Sequence, residues 1–169
     1  KHLLRINEIE SGKLEVHPEN INFVSTLDSI ISDYKQRADA KNININFNTE
    51  KDYTIFGDRN SLNSVFANLI SNAVKYSPKD NPVSIELIEQ DISLILKVRD
   101  EGAGIADTEK KKIFEKFYRL GNEATKRAKG TGLGLYLTSK IVANHHGQLF
   151  VENNLPSGSV FIIQLKQSI

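Results

Sequence analysis

The stretch Arg59–Tyr76 constrains the fold of this chain more than any other. Leu62, Val65, Phe66, Leu69, Ile70 and Ala73 recur at helical spacing and form one apolar stripe that has to face a core. Asp58 stands where an N-cap belongs, and Ser77-Pro78 ends the helix, because a residue before proline avoids helical backbone angles. A helix with one buried stripe needs a partner layer. The β-prone runs VSIELIEQ (83–90) and ISLILKVR (92–99) supply strands for it, with Asp91 near the turn between them.

The flanking segments extend this pattern. Residues 23–40 carry Val24, Leu27, Ile30, Ile31 and Tyr34 at helical spacing; an alternating strand follows over 43–48, then a short extended piece, YTIF, ending at Gly57-Asp58. The spacing predicts a short helix over 108–117, with Ile113, Phe114 and Phe117 on one side, a longer helix over 133–145, and closing strands QLFVENN and SVFIIQLK. At the start, LLRINEIESGKLEV reads as the end of a helix stopped at Ser11-Gly12, followed by a short extended KLEV. Strands that are neighbours in sequence, without strict strand-helix-strand alternation, predict a two-layer α/β sandwich with helices on one face of a mixed sheet. RLGNEATKRAKG (119–130) has no period at all; inside a compact domain such a stretch is a lid or a disordered loop.

Composition narrows the function classes. A chain of 169 residues fits one main domain, and the absence of cysteine excludes disulfides, thiolate metal sites and a cysteine nucleophile. No apolar run approaches the roughly 18 residues of a membrane span, and Lys1 to Lys13 lacks the apolar core of a signal peptide. A net charge of +1 gives no global drive toward nucleic acid, although basic residues crowd over 110–129. The expectations are a cytoplasmic setting, no nucleic-acid partner and no membrane contact by this piece. The complete lack of methionine reads as a fragment of a longer protein.

Three stretches carry chemistry. On the helix, Asn68, Asn72 and Lys75 fall within about 60° of one another, some 120° round from the apolar stripe. Asn is a poor helix former, so two of them one turn apart serve no local purpose. A carboxamide oxygen is a hard ligand suited to Mg²⁺, which takes few protein ligands in phosphate sites; this assigns the metal to Asn72 and polar support to Asn68. Lys75 reaches phosphate, and Tyr76 offers a flat face to adenine or ribose. DEGAGI (100–105) follows a strand: Gly102 and Gly104 permit close backbone approach, and the Asp100 carboxylate accepts a hydrogen bond from the adenine amine but would oppose the guanine carbonyl. In GTGLGL (130–135), Gly130, Gly132 and Gly134 run into a helix, whose N-terminal N–H groups can converge on phosphate oxygens. A dinucleotide fold fails here, because the spacing is GxGxG and KRAK before it is no strand; a P-loop fails for want of GxxxxGK[ST].

The ordered set NLISNAVKYSP, DEGAGI, IFEKFYR and KGTGLGL resembles the N, G1, F and G2 boxes of the catalytic ATP-binding domain of sensor histidine kinases, in the GHKL superfamily shared with gyrase and mismatch-repair ATPases. The match runs over roughly residues 14–166. The resemblance implies an α+β two-layer sandwich, a mixed five-stranded sheet packed on three helices, with a mobile ATP lid that would contain Lys126, Arg127 and Lys129. By matching position it implies Asn72 as Mg²⁺ ligand, and Asn68 and Lys75 beside the chemistry. Tyr76 and Asp100 would hold adenine, and Gly102, Gly104 and Ile105 would belong to the same cofactor-binding set. Phe117 and Arg119 come from the F box with Phe114, where the two phenylalanines anchor the lid. Gly130, Thr131, Gly132, Leu133, Gly134 and Leu135 would form the phosphate loop. Residues 1–13 would be the end of a dimerisation helix with its linker, and 14–169 the catalytic domain.

The implied partners are ATP, the parent's dimerisation domain and a response-regulator receiver domain, with a homodimeric parent and a monomeric fragment. Gyrase-like relatives carry a glutamate, the general base for water, where this chain has Asn68; a carboxamide cannot take a proton at neutral pH. The resemblance therefore implies ATP held for another nucleophile, a histidine that none of His2, His17, His145 or His146 matches in setting. All four read as structural or solvated. A nucleotide-sensing module without transfer and a serine kinase of the anti-sigma type remain the alternatives.

Overall fold

A computed structural model of the protein describes residues 2–121 and 130–167. Its helices are α1 (His2–Glu10), α2 (Phe23–Asp39), α3 (Arg59–Tyr76) and α4 (Gly134–Asn144). Its strands are β1 (Pro18–Asn22), β2 (Ile45–Phe47), β3 (Thr54–Asp58), β4 (Val83–Gln90), β5 (Ser93–Arg99), β6 (Gln148–Asn153) and β7 (Ser159–Lys166). The sheet is mixed and five-stranded in the order β2-β4-β5-β7-β6, parallel only between β2 and β4. β1 and β3 pair apart from it as an antiparallel ribbon.

Local sequence explains the layers. The α3 stripe is buried from Leu62 to Ala73, and every second residue of β5, Leu94, Leu96 and Val98, faces it from the sheet. The two-residue turn between β4 and β5 puts Asp91 at a positive φ of 53°, a conformation Asp tolerates. Asp58 caps α3 as expected: the Ser61 N–H donates to its Oδ1 at 2.7 Å. No helix among the described residues is long and apolar enough to cross a membrane.

Two expectations are corrected. The extended piece placed at KLEV lies five residues later, as β1, whose PENIN sequence buries only Ile21 and so carries no alternation to read. The helix expected over 108–117 is a run of turns with a single 3₁₀ turn, Lys112–Phe114. Tertiary pairing wins there: Ile113 is buried, and at Phe117 (φ 65°) the chain reverses so that its N–H donates to the Gly132 carbonyl at 3.0 Å. The initial helix packs against α3 and the common core. Ile6 is 1% exposed in the common core, and Arg5 donates to Ser64 Oγ (2.8 Å) and Ser61 Oγ (3.1 Å). The expected lid cations Lys126, Arg127 and Lys129 lie outside the described residues.

His145 is structural, and its role is specific. The Asp58 N–H donates to Nε2 at 3.0 Å while Nδ1 donates to the Ile141 carbonyl at 2.8 Å, so the neutral ring fastens the end of α4 to the start of α3. His145→Ala leaves a backbone N–H unpaired and is expected to cost about 1–3 kcal/mol, read as a lower denaturant midpoint. Exposed His146 holds a positive φ of 55° past the helix end, so His146→Gly is expected to be neutral or stabilising.

Candidate nucleotide site

A cleft of about 480 Å³ opens between α3, the loop after β5 and the glycine segment before α4. It gathers residues from all three motif stretches. Asn68, Asn72, Lys75 and Tyr76 line it from α3; Asp100, Gly104 and Ile105 from the loop; Gly130, Thr131, Gly132, Gly134 and Leu135 from the segment entering α4; and Arg119 from beyond the 3₁₀ turn. Gly102, Phe117 and Leu133 are near but not on its wall. Gly102 donates its N–H to Asp100 Oδ1 at 2.9 Å, Leu133 is buried in the core, and Phe117 is 58% exposed. Phe114 packs partly buried against the core.

The sequence reading missed Arg37, Ser71, Ala103, Ile113, Tyr118, Leu120, Ser159 and Phe161, which also line the cleft. Ser71 was findable, since it lies beside Asn68 and Asn72 on the same helical surface. Ser159 and Phe161 arrive through the β5–β7 register, and no local signal marks them.

The cleft has two chemically different ends. At the floor, Asp100 is 6% exposed, and both donors it accepts from, Gly102 N–H (2.9 Å) and Ser159 N–H (3.3 Å), go to Oδ1. Oδ2 has no hydrogen bond to the described residues and is left for a ligand donor. Burial pushes the Asp100 carboxyl above its ordinary pKa, outweighing those two N–H groups, which act the other way. Tyr76, 40% exposed, flanks this end with its ring 5.0 Å from Lys75 Nζ.

The other end is built for anions. The first turn of α4 follows Leu133, which offers no capping side chain, so its leading N–H groups lack side-chain acceptors. Gly132 sits at φ 70° and an added Cβ would fall 2.7 Å from the Phe117 carbonyl carbon, so only glycine brings the loop this close to the F-box segment. A Cβ at Gly134 would collide with Asn68 Oδ1, whose amide also donates to buried Thr138 Oγ1 at 3.0 Å. Among the described residues, Arg37, Lys75 and Arg119 bring three cations to the walls against one buried carboxylate.

A divalent cation fits these residues in one way. Asn72 lines the cleft and its carboxamide makes no hydrogen bond to the described residues. Among the described residues no three His, Asp or Glu side chains cluster to hold a metal. An ion here would take the Asn72 oxygen and draw its remaining ligands from phosphate and water, the habit of Mg²⁺.

Comparison with known proteins agrees with this geometry. Residues 57–169 match the family described as histidine kinase-, DNA gyrase B-, and HSP90-like ATPase. The chain is 32% identical over 163 residues to the sensor protein SrrB of Staphylococcus aureus, covering 96% of this chain but 28% of that protein. The mycobacterial sensor histidine kinase MprB superposes with a TM-score of 0.79 at 26% identity, over 89% of this chain and 98% of that one. The catalytic domain of histidine kinase ThkA gives 0.80 at 25%, over 90% and 99%. The chain belongs to this ATPase family and is homologous to the catalytic ATP-binding domain of sensor histidine kinases.

The raised Asp100 pKa yields a signed prediction. An amine donor on the ligand favours the carboxylate, so nucleotide affinity is lost as pH falls through this raised value, at a pH above that of an exposed aspartate. The same group stabilises the ligand-free fold toward acid and loses that contribution as pH rises through its folded pKa, so affinity and stability move in opposite directions. Calorimetric titrations across pH check this, and Asp100→Asn is expected to abolish the acid limb.

Proposed function

We propose that this member of the histidine kinase and gyrase-type ATPase family binds ATP with Mg²⁺ and presents the γ-phosphate to a histidine on a separate dimerisation helix. The observation that carries it is the Asn72 carboxamide, without a hydrogen-bond partner among the described residues, in a cleft with a buried carboxylate at one end and a helix start without a capping side chain at the other. Asp100 Oδ2 would accept from the adenine amine, and Tyr76 would lie against the base or ribose. Backbone N–H groups at Gly130–134, with Lys75 and Arg119, would hold the phosphates. Asn72 would hold Mg²⁺, which would offset the charge of the phosphates. The residues of this chain orient ATP and exclude competing water, the means by which phosphoryl transfer is accelerated.

Asn68 bears on the choice of nucleophile. Its side chain is tied to Thr138 and holds no basic lone pair at neutral pH, so no carboxylate stands at that position to activate water. The acceptor would be a histidine ring nitrogen that attacks the γ-phosphorus as ADP leaves. His145 is committed to backbone groups, and neither His17 nor His146 lines the cleft. In this reading residues 1–13 are the end of the dimerisation helix and its linker, residues 14–169 the catalytic unit. The parent is a homodimer, this piece a cytoplasmic monomer, and the phosphoryl group passes on to a receiver domain.

Asn72→Ala is expected to reduce Mg-ATP affinity at least tenfold while circular dichroism and the unfolding midpoint stay near those of the unaltered chain. Incubation with labelled ATP and the parent's dimerisation hairpin is expected to label the hairpin with acid-labile, base-stable phosphate. An acid-stable product would favour serine transfer, and no label with intact ATP binding would favour a sensing module.

A further inference from the structure

Lys41 lies outside the cleft and in none of the motif stretches, yet it closes the end of the helix that carries the first of them. The last turn of any α-helix leaves carbonyls without intrahelical donors. In α3 the Ser77 N–H serves only the Ala73 carbonyl, and Pro78 prevents the usual glycine cap. Lys41 Nζ, arriving from the turn after α2, donates to Val74 O at 2.8 Å, Lys75 O at 3.1 Å and Ser77 O at 2.5 Å. One ammonium thus satisfies three carbonyls at the negative end of the helix dipole.

One of those carbonyls belongs to Lys75, a residue of the cleft wall, and the other two flank Lys75 and Tyr76 in the chain. Lys75 and Tyr76 line the cleft, and the Tyr76 carbonyl lies so close to the loop after β5 that a Cβ on Gly102 would stand 2.7 Å from it. Ser77 Oγ accepts the Glu101 N–H at 3.4 Å, and Asn81 Nδ2 donates to Glu101 Oε2 at 2.8 Å. The turn grips the next residues as well: the Asp80 N–H donates to Lys41 O at 3.0 Å, and Asn42 Nδ2 donates to Asp80 Oδ1 at 2.7 Å. The chain after α2 is therefore continuous, through hydrogen bonds, with the Asp100–Gly102 end of the cleft.

We propose that Lys41 is a positioning residue for the base-binding end of the nucleotide site, holding the last turn of α3 so that Tyr76 and the Asp100 loop meet the adenine together. This rests on the ATP reading above. It separates the two ends of the cleft, because among the described residues the loop from Gly130 to Gly134 makes no hydrogen bond to Lys41 and meets Phe117 and Asn68 instead.

The test compares calorimetric affinities of the full chain for Mg-ATP and Mg-ADP, with thermal unfolding alongside. Lys41→Met is expected to weaken ATP and ADP by the same factor, roughly tenfold, with Lys41→Arg restoring affinity to within about threefold because a guanidinium also donates to several carbonyls. Asn72→Ala, in contrast, is expected to weaken ATP more than ADP. Equal affinity of Lys41→Met and the unaltered chain, with only the unfolding temperature lowered, overturns the positioning role while leaving the nucleotide site intact. Should Lys41→Met fail to fold, Lys41→Gln carries the same comparison, and a loss confined to ATP there also overturns the proposal. No binding by the unaltered chain overturns both readings.

Discussion

The site depends on how closely α3 and α4 approach at one point, where Asn68 meets Gly134 and Thr138. An added Cβ at Gly134 would strike the Asn68 carboxamide, and the Asn68–Thr138 hydrogen bond holds the two helices at that separation. This contact sets the glycine segment opposite the polar stripe of α3, with the apolar stripe of the same helix already committed to the sheet. One helix thus serves two surfaces about a third of a turn apart, core on one and cleft on the other. Its fixed orientation over the sheet then determines where Asn72 and Lys75 stand.

Charge is distributed along the cleft in a way that suits one class of ligand. Cations line the walls and backbone N–H groups without a capping side chain open α4, while Asp100, the one carboxylate among the described lining residues, is buried with one oxygen already satisfied. A ligand with an anionic tail and a flat head bearing an amine donor meets complementary groups throughout. Reversed, it would place phosphate against a buried carboxylate, which low-dielectric surroundings make costly. The polarity of the cleft would therefore orient such a ligand.

Much of this was readable in the chain, and the misses have physical causes. α3 announced itself through cap, stripe and proline stop, and β4 and β5 through β-branched runs flanking Asp91; each is decided by local chemistry. β1 escaped because an exposed ribbon strand with one buried residue has no pattern. The 108–117 segment misled because the same apolar spacing serves a helix or a series of turns, and the choice was made by a distant carbonyl at Gly132. In the site, residues within motifs were found, whereas Ser159, Phe161 and Arg37 came from strand register and helix packing that no short window encodes. Leu133 and Phe117 belong to the motifs yet serve the core and the chain reversal instead of the cleft wall.

A buried carboxylate that reads an amine, with an amide and a glycine loop that hold a triphosphate, would separate ATP from GTP. Paired calorimetric titrations of the chain with Mg-ATP and Mg-GTP examine both halves at once. One-to-one binding of ATP is expected, with at least a hundredfold weaker binding of GTP, whose carbonyl would face Asp100. Equal heats for the two nucleotides would contradict the role of Asp100, and no heat with either would contradict the site as a whole.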